Sequence, residues 1–119
     1  MMTNYGKSGL ALALAGSMTL PTMGDVGTGS AAIAVTRSGL ATPAATTYFT
    51  TRDIGTQKQV TYTFDYSSIT LSGLLVKEFG IRTSGGGLGS GTFFNIDNST
   101  AVQYDGTNEL QLQVTFQVF

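Results

Sequence analysis

Residues 109–119 constrain this chain most. Leu110, Leu112, Val114, Phe116 and Val118 alternate with Gln111, Gln113, Thr115 and Gln117. That is the period of a β-strand with one buried and one wet face. Just before it, Asp105-Gly106 supplies residues that tolerate positive φ in a tight turn, which predicts that residues 101–104 fold back as the other arm of a hairpin. An isolated hairpin does not offset the entropy of ordering its backbone, so the facing half of a core must come from elsewhere in the chain or from another chain.

A second alternation over residues 58–66 places Val60, Tyr62, Phe64 and Tyr66 on one face and Thr61, Thr63 and Asp65 on the other. After a Ser67-Ser68 turn, residues 69–81 read as a further strand. Ile69, Leu71, Leu75, Phe79 and Ile81 lie on its odd face, and Leu74 and Val76 on its even face. A strand apolar on both faces is central or covered. Gly73 is read there as a bulge or a close backbone approach, and Gly80 as a second break. Shorter strands are expected within residues 18–26, 48–52 and 92–96, with Tyr48 and Phe49 packing in the core, and residues 31–35 form another short apolar run. Residues 38–47, made of small side chains and Pro43, read as a surface loop, as do the glycine-rich residues 83–91.

Near the start, Asn4 reads as an N-cap, an Ala/Leu run follows, and Gly16 stands where helices commonly end. A short helix over residues about 5–15 is expected, with Leu10 and Leu14 on one face. The apolar run is short for a secretion signal, so the segment is expected to stay on the protein. Strands outnumber helices, with Gly and Ser turns at short spacing. The expected fold is therefore all-β, an antiparallel β-sandwich with one short N-terminal helix, in one domain over residues 1–119.

Composition narrows the chemistry. The chain contains no histidine and no cysteine, which excludes imidazole-based triads, nearly all zinc and copper sites, and any thiolate or disulfide. Six basic and seven acidic residues are scattered singly, leaving no basic stripe for nucleic acid. No stretch approaches the length of a membrane span. Charged residues make up 11%, about half the usual share, which suits a subunit packed among neighbours.

The glycine loop fails as a phosphate cradle, because Gly91 is followed by Thr92-Phe93 where a Lys and a Ser or Thr would be needed. Of the acids Asp25, Asp53, Asp65, Glu78, Asp97, Asp105 and Glu109, Asp97 and Asp105 read as turn residues, and Asp65 and Glu109 lie on wet strand faces. Glu78, on the strand apolar on both sides, is the odd one, and a salt bridge or an interface hydrogen bond explains it better than catalysis. Asp97 with Asn98 lacks the spaced ligands of a calcium loop. No catalytic, cofactor-binding or metal-ligating residue is nominated, and no cofactor is expected.

Taken in order, Val76-Lys77-Glu78-Phe79-Gly80-Ile81, the glycine loop with Phe93-Phe94-Asn95, and Tyr104-Asp105-Gly106-Thr107-Asn108-Glu109-Leu110-Gln111-Leu112 resemble the C-terminal part of small structural proteins of tailed bacteriophages. The N-terminal Ala/Leu segment, Val26-Gly27-Thr28-Gly29 and the Thr/Ala-rich loop with Pro43 are similar too. Such modules look like head decoration, collar, neck or tail-fibre components. The resemblance implies a non-enzymatic virion component whose partners are copies of itself and other virion proteins, such as major capsid, neck or tail proteins. Neither nucleic acid nor a membrane is an expected partner. The alternative is a module of a tail or head fibre that binds a host surface glycan, with Tyr48, Tyr62, Tyr66 or Tyr104 as stacking platforms.

Overall fold

The computed structural model describes residues 2–8, 21–32, 36–54, 59–83 and 87–117. Among these residues six strands are formed: β1 (Met23–Gly27), β2 (Pro43–Ile54), β3 (Gln59–Tyr66), β4 (Leu75–Arg82), β5 (Phe93–Gln103) and β6 (Leu110–Gln117). They make one curled antiparallel sheet, half of a barrel, in the order β5-β4-β1-β2-β3-β6.

The two strands with the cleanest alternation pair with each other. Strands β3 and β6 run antiparallel from Gln59↔Gln117 to Tyr66↔Leu110 without a break in register. Tyr62, Phe64 and Tyr66 are buried, as is Val114, while Leu110, Leu112 and Phe116 pack against them. Tyr62 is the hub: it stacks on Phe64 at 6.3 Å and meets Phe49 and Phe116 edge-on at 5.8 and 6.0 Å. Val118 lies outside the described residues.

The partner expected for β6 is corrected. Residues 101–103 belong to β5, which pairs with β4 at the opposite end of the sheet. Tyr104 explains why: its amide donates to the carbonyl of Leu74 and its carbonyl accepts from Gly73, both at 2.9 Å, which pins it beside β4. The turn itself forms, with Gly106 at φ 95° and Asp105 accepting from the Thr107 amide. It carries the chain across the open side of the half-barrel to the aromatic face of β3.

Strand β2 makes the curl. Its first half pairs with β1 (Met23↔Tyr48 to Gly27↔Pro43) and its second half with β3 (Phe49↔Phe64 to Ile54↔Val60), with a register shift between Phe49 and Thr51. Thr50, at the shift, donates its hydroxyl to the carbonyl of Thr63. Residues 43–47 are therefore strand, not surface loop, and Ala45 is buried opposite Val26. Small side chains belong here because the sheet closes tightly: a Cβ on Gly24 would stand 2.7 Å from the Phe64 ring. Phe49 packs against the core, whereas Tyr48 is 64% exposed.

Residues 69–74 do not continue a strand. Ser67 accepts from the Thr70 amide and caps a helical turn, Ser68–Leu71, and a side-chain cap of this kind overrides weak alternation. Leu71 is fully buried, Ile69 is 84% exposed, and Gly73 takes φ 81° in the turn that follows. Gly80 does not interrupt β4; it lets β5 approach, since a Cβ there would stand 2.8 Å from the carbonyl oxygen of Asn95. Strand β5 runs on through residues 97–100, so Asp97 is a strand residue rather than a turn residue.

Residues 4–8 are helical, and the rest of the helix expected over residues 5–15 falls outside the described residues. Its cap is Thr3 rather than Asn4: the Thr3 hydroxyl accepts from the Gly6 amide and donates to the carbonyl of Phe93. Ala31 and Ala32 are exposed and not in a strand; residues 33–35 are outside the described set.

Candidate functional site

Strand β4 is covered on both faces. Its inner face gives Val76 and Ile81 to the main core. By register with β1, Asp25 stands opposite Gly80 and Gly27 opposite Glu78, so Asp25 and Glu78 share the outer face. Arg82 lies on that face too. All three are buried, Asp25 and Glu78 completely and Arg82 to 1% exposure, beneath loops and a small cluster of Leu40, Phe93 and Ile96.

Glu78 gathers the loop that links β1 to β2. Its Oε1 accepts from the Ala41 amide at 2.8 Å and from the Arg37 guanidinium at 3.0 Å. Its Oε2 accepts from the amides of Thr42 and Gly29 at 2.8 and 3.1 Å. Burial pushes this carboxyl upward, but the amides of Thr42 and Ala41, the Arg37 guanidinium and the Gly29 amide together hold it below the usual carboxylate range. Arg37 also donates to Asn98 on β5.

Asp25 does the same for the glycine loop. Its Oδ2 accepts from Arg82 Nε at 2.8 Å and from the Gly89 amide at 2.9 Å. Arg82 further donates to the Thr83 carbonyl and the Thr46 hydroxyl. Among the described residues, Asp25 Oδ1 and the Tyr66 hydroxyl are buried without a hydrogen-bond partner. Burial, with the Asp25 carboxylate nearby, pushes the Tyr66 hydroxyl far upward, so it stays neutral.

Both carboxylates therefore act as anchors for main chain. Two depressions lie among the described residues. One, of about 480 Å³, is lined by residues 31–32 and 36–41; the other, about 150 Å³ and apolar, lies between β5 and β6. Neither is lined by Asp25 or Glu78. The other acids are apart from this site. Asp53, Asp65, Asp105 and Glu109 are exposed and Asp97 is half-buried. Hydrogen bonds from Thr50 and Gln111 lower Asp65, and those from Thr107 lower Asp105.

The salt bridge expected of Glu78 is present, to Arg37. Its equal on the same face, the Asp25–Arg82 pair, escaped the sequence reading; the available signal was a lone acid between Gly24 and Val26 in a short strand. Of the four tyrosines considered for stacking, Tyr62, Tyr66 and Tyr104 are buried and Tyr48 alone is exposed. Among the described residues, no group of three or more acidic, His or Cys side chains could hold a metal ion, and no helix is long and apolar enough to cross a membrane.

Fold and site together define an antiparallel β protein whose buried carboxylates fasten loops to one face of a curled sheet. Compared with known proteins, the chain matches no family model, no curated protein and no solved structure.

Proposed function

We propose that this chain is a non-enzymatic structural subunit of a tailed-bacteriophage particle. It docks on the capsid as a decoration or cement protein, or at the neck, collar or tail, against copies of itself and other virion proteins. In this reading the bend at β2 sets the two halves of the sheet face to face as a β-sandwich. One observation carries it: four backbone amides from loops are fastened by two fully buried carboxylates, Gly89 on Asp25 and Gly29, Ala41 and Thr42 on Glu78. Loops of Gly, Ala, Ser and Thr have few side chains to hold them, yet here they are set in advance. A weakly charged surface of that kind loses little conformational entropy when it packs against a neighbour. The sequence resemblance agrees with this reading. The glycan-binding alternative has less support, because three of its four aromatic candidates lie in the core.

The test is the molar ratio of this protein to the major shell protein in purified particles, by quantitative mass spectrometry. A simple fixed ratio supports decoration of the shell, and a small reproducible ratio supports the neck, collar or tail. Absence from intact particles refutes the proposal.

A further inference from the structure

An open sheet has two outer edges, and this one treats them differently. Along β5 the outer side is covered near its start: Met2 bridges to Asn95, and the Thr3 amide donates to the carbonyl of Phe94 at 3.0 Å. Strand β6 pairs with β3 on one side, and among the described residues no strand pairs with its other side. Between Leu110 and Gln117 it carries no charge and no proline, and its register with β3 is unbroken. Charge, proline and a bulge are among the devices by which proteins keep an edge strand from pairing, and β6 has none of these three.

The sequence of β6 also suits its own copy. When a strand pairs antiparallel with itself about a twofold axis passing through a residue, even positions meet even positions and odd meet odd. Leu110, Leu112, Val114 and Phe116 would then meet one another on the inner face, and Gln111, Gln113 and Thr115 would meet on the outer face. No like charges are opposed and no apolar side chain is turned to water. Beside this edge lies the apolar depression lined in part by Phe79, Val102, Tyr104, Leu110 and Leu112, where Val102 is 46% exposed. It extends the apolar surface on which the inner-face side chains of a second β6 would rest.

We infer that β6 is a self-association edge. The β6 of a second copy adds antiparallel to it, with the twofold axis on Gln113 or Val114, and joins the two sheets into one. This gives the self-contacts proposed above a definite surface, and rests on that reading only for its setting in a particle.

The intact chain is examined by sedimentation equilibrium. A dimer is expected at about 50 µM, and Gln113→Lys, which places like charges near the axis on an exposed position, should raise the dissociation constant roughly tenfold or more. Gln103→Lys, on the exposed part of β5, should leave it unchanged. Because the chain has no cysteine, engineered thiols report the register. Gln113→Cys alone should oxidise to a covalent dimer if the axis lies on Gln113. A mixture of Gln113→Cys with Thr115→Cys should do so if it lies on Val114. Circular dichroism confirms that each variant is folded. A chain that remains monomeric at about 100 µM overturns the inference. So does a dimer that neither responds to Gln113→Lys nor cross-links in either way. The result is separable from the particle measurement: a β6 dimer absent from particles refutes only the virion reading, and a monomer present in particles refutes only this inference.

Discussion

Glu78→Gln keeps the shape of the side chain and removes its charge. Each Glu78 oxygen accepts two hydrogen bonds, Oε1 from Ala41 and Arg37 and Oε2 from Thr42 and Gly29. Whichever way the amide of Gln is turned, its NH₂ group faces two donors, and the remaining two bonds lose their charge assistance. Two buried hydrogen bonds to a charged acceptor, partly relieved by local movement, amount to about 3 kcal/mol. At roughly 2.1 cal/mol/K of unfolding entropy per residue, that lowers the melting temperature of a domain this size by about 12 °C. The assay is thermal unfolding followed by circular dichroism at neutral pH, with hydrogen exchange to locate the effect at the amides of Gly29, Ala41 and Thr42. The pH dependence has a definite sign. The folded-state pKa of Glu78 is depressed below its ordinary value of 4.5, so its contribution is complete above that value and is lost as the pH falls through the lower folded value. The gap between wild type and Glu78→Gln should be constant near neutrality and narrow below about pH 4.5. A loss under about 3 °C at neutral pH, or curves that stay parallel into acid, would refute the anchoring role.

Other substitutions test the same architecture. Tyr66→Phe removes a buried hydroxyl with no partner among the described residues and is expected to be neutral or to stabilise by up to about 1 kcal/mol in urea unfolding; a loss of that size would mean the hydroxyl is bonded. Arg82→Met alone strands the Asp25 carboxylate and should destabilise by about 3–5 kcal/mol, while the double change with Asp25→Leu should recover most of it; equal losses would deny the coupling. Ile69→Glu should shift stability by less than about 0.5 kcal/mol because Ile69 points outward from the helical turn; a core-sized loss would restore the strand reading.

The sequence shows β3 and β6 plainly because each buries one face, so alternation survives in Tyr62-Phe64-Tyr66 and in Leu112-Val114-Phe116. It does not show that these two strands are partners. That depends on main-chain bonds between Tyr104 and residues 73–74, which leave no trace in side-chain pattern. The strand start at Pro43–Thr47 is hidden for the opposite reason: space inside the curl demands Ala and Thr, the residues that usually mark loops. The helical turn at Ser68–Leu71 was signalled by Ser67, but the apolar spacing of Ile69 and Leu71 imitates a strand. Glu78 stood out because its neighbours are apolar on both faces. Asp25 did not, because its strand is short and Arg82, its partner, lies 57 residues away in sequence.

The pairing of β6 with β3 also sets a timetable for the chain as it leaves the ribosome. Tyr66 and Leu110 are partners, so β3 emerges well before the strand that completes its hydrogen bonds. At about 5–20 residues per second, the intervening stretch takes roughly 2–9 s to synthesise. Over that interval the nascent chain can form the local β2–β3 hairpin, but one side of β3, with its tyrosines and phenylalanine, has no mate. Crowded polysomes would bring several such strands together, and the yield of assembled protein depends on how quickly translation supplies residues 110–117 relative to encounters between unfinished chains.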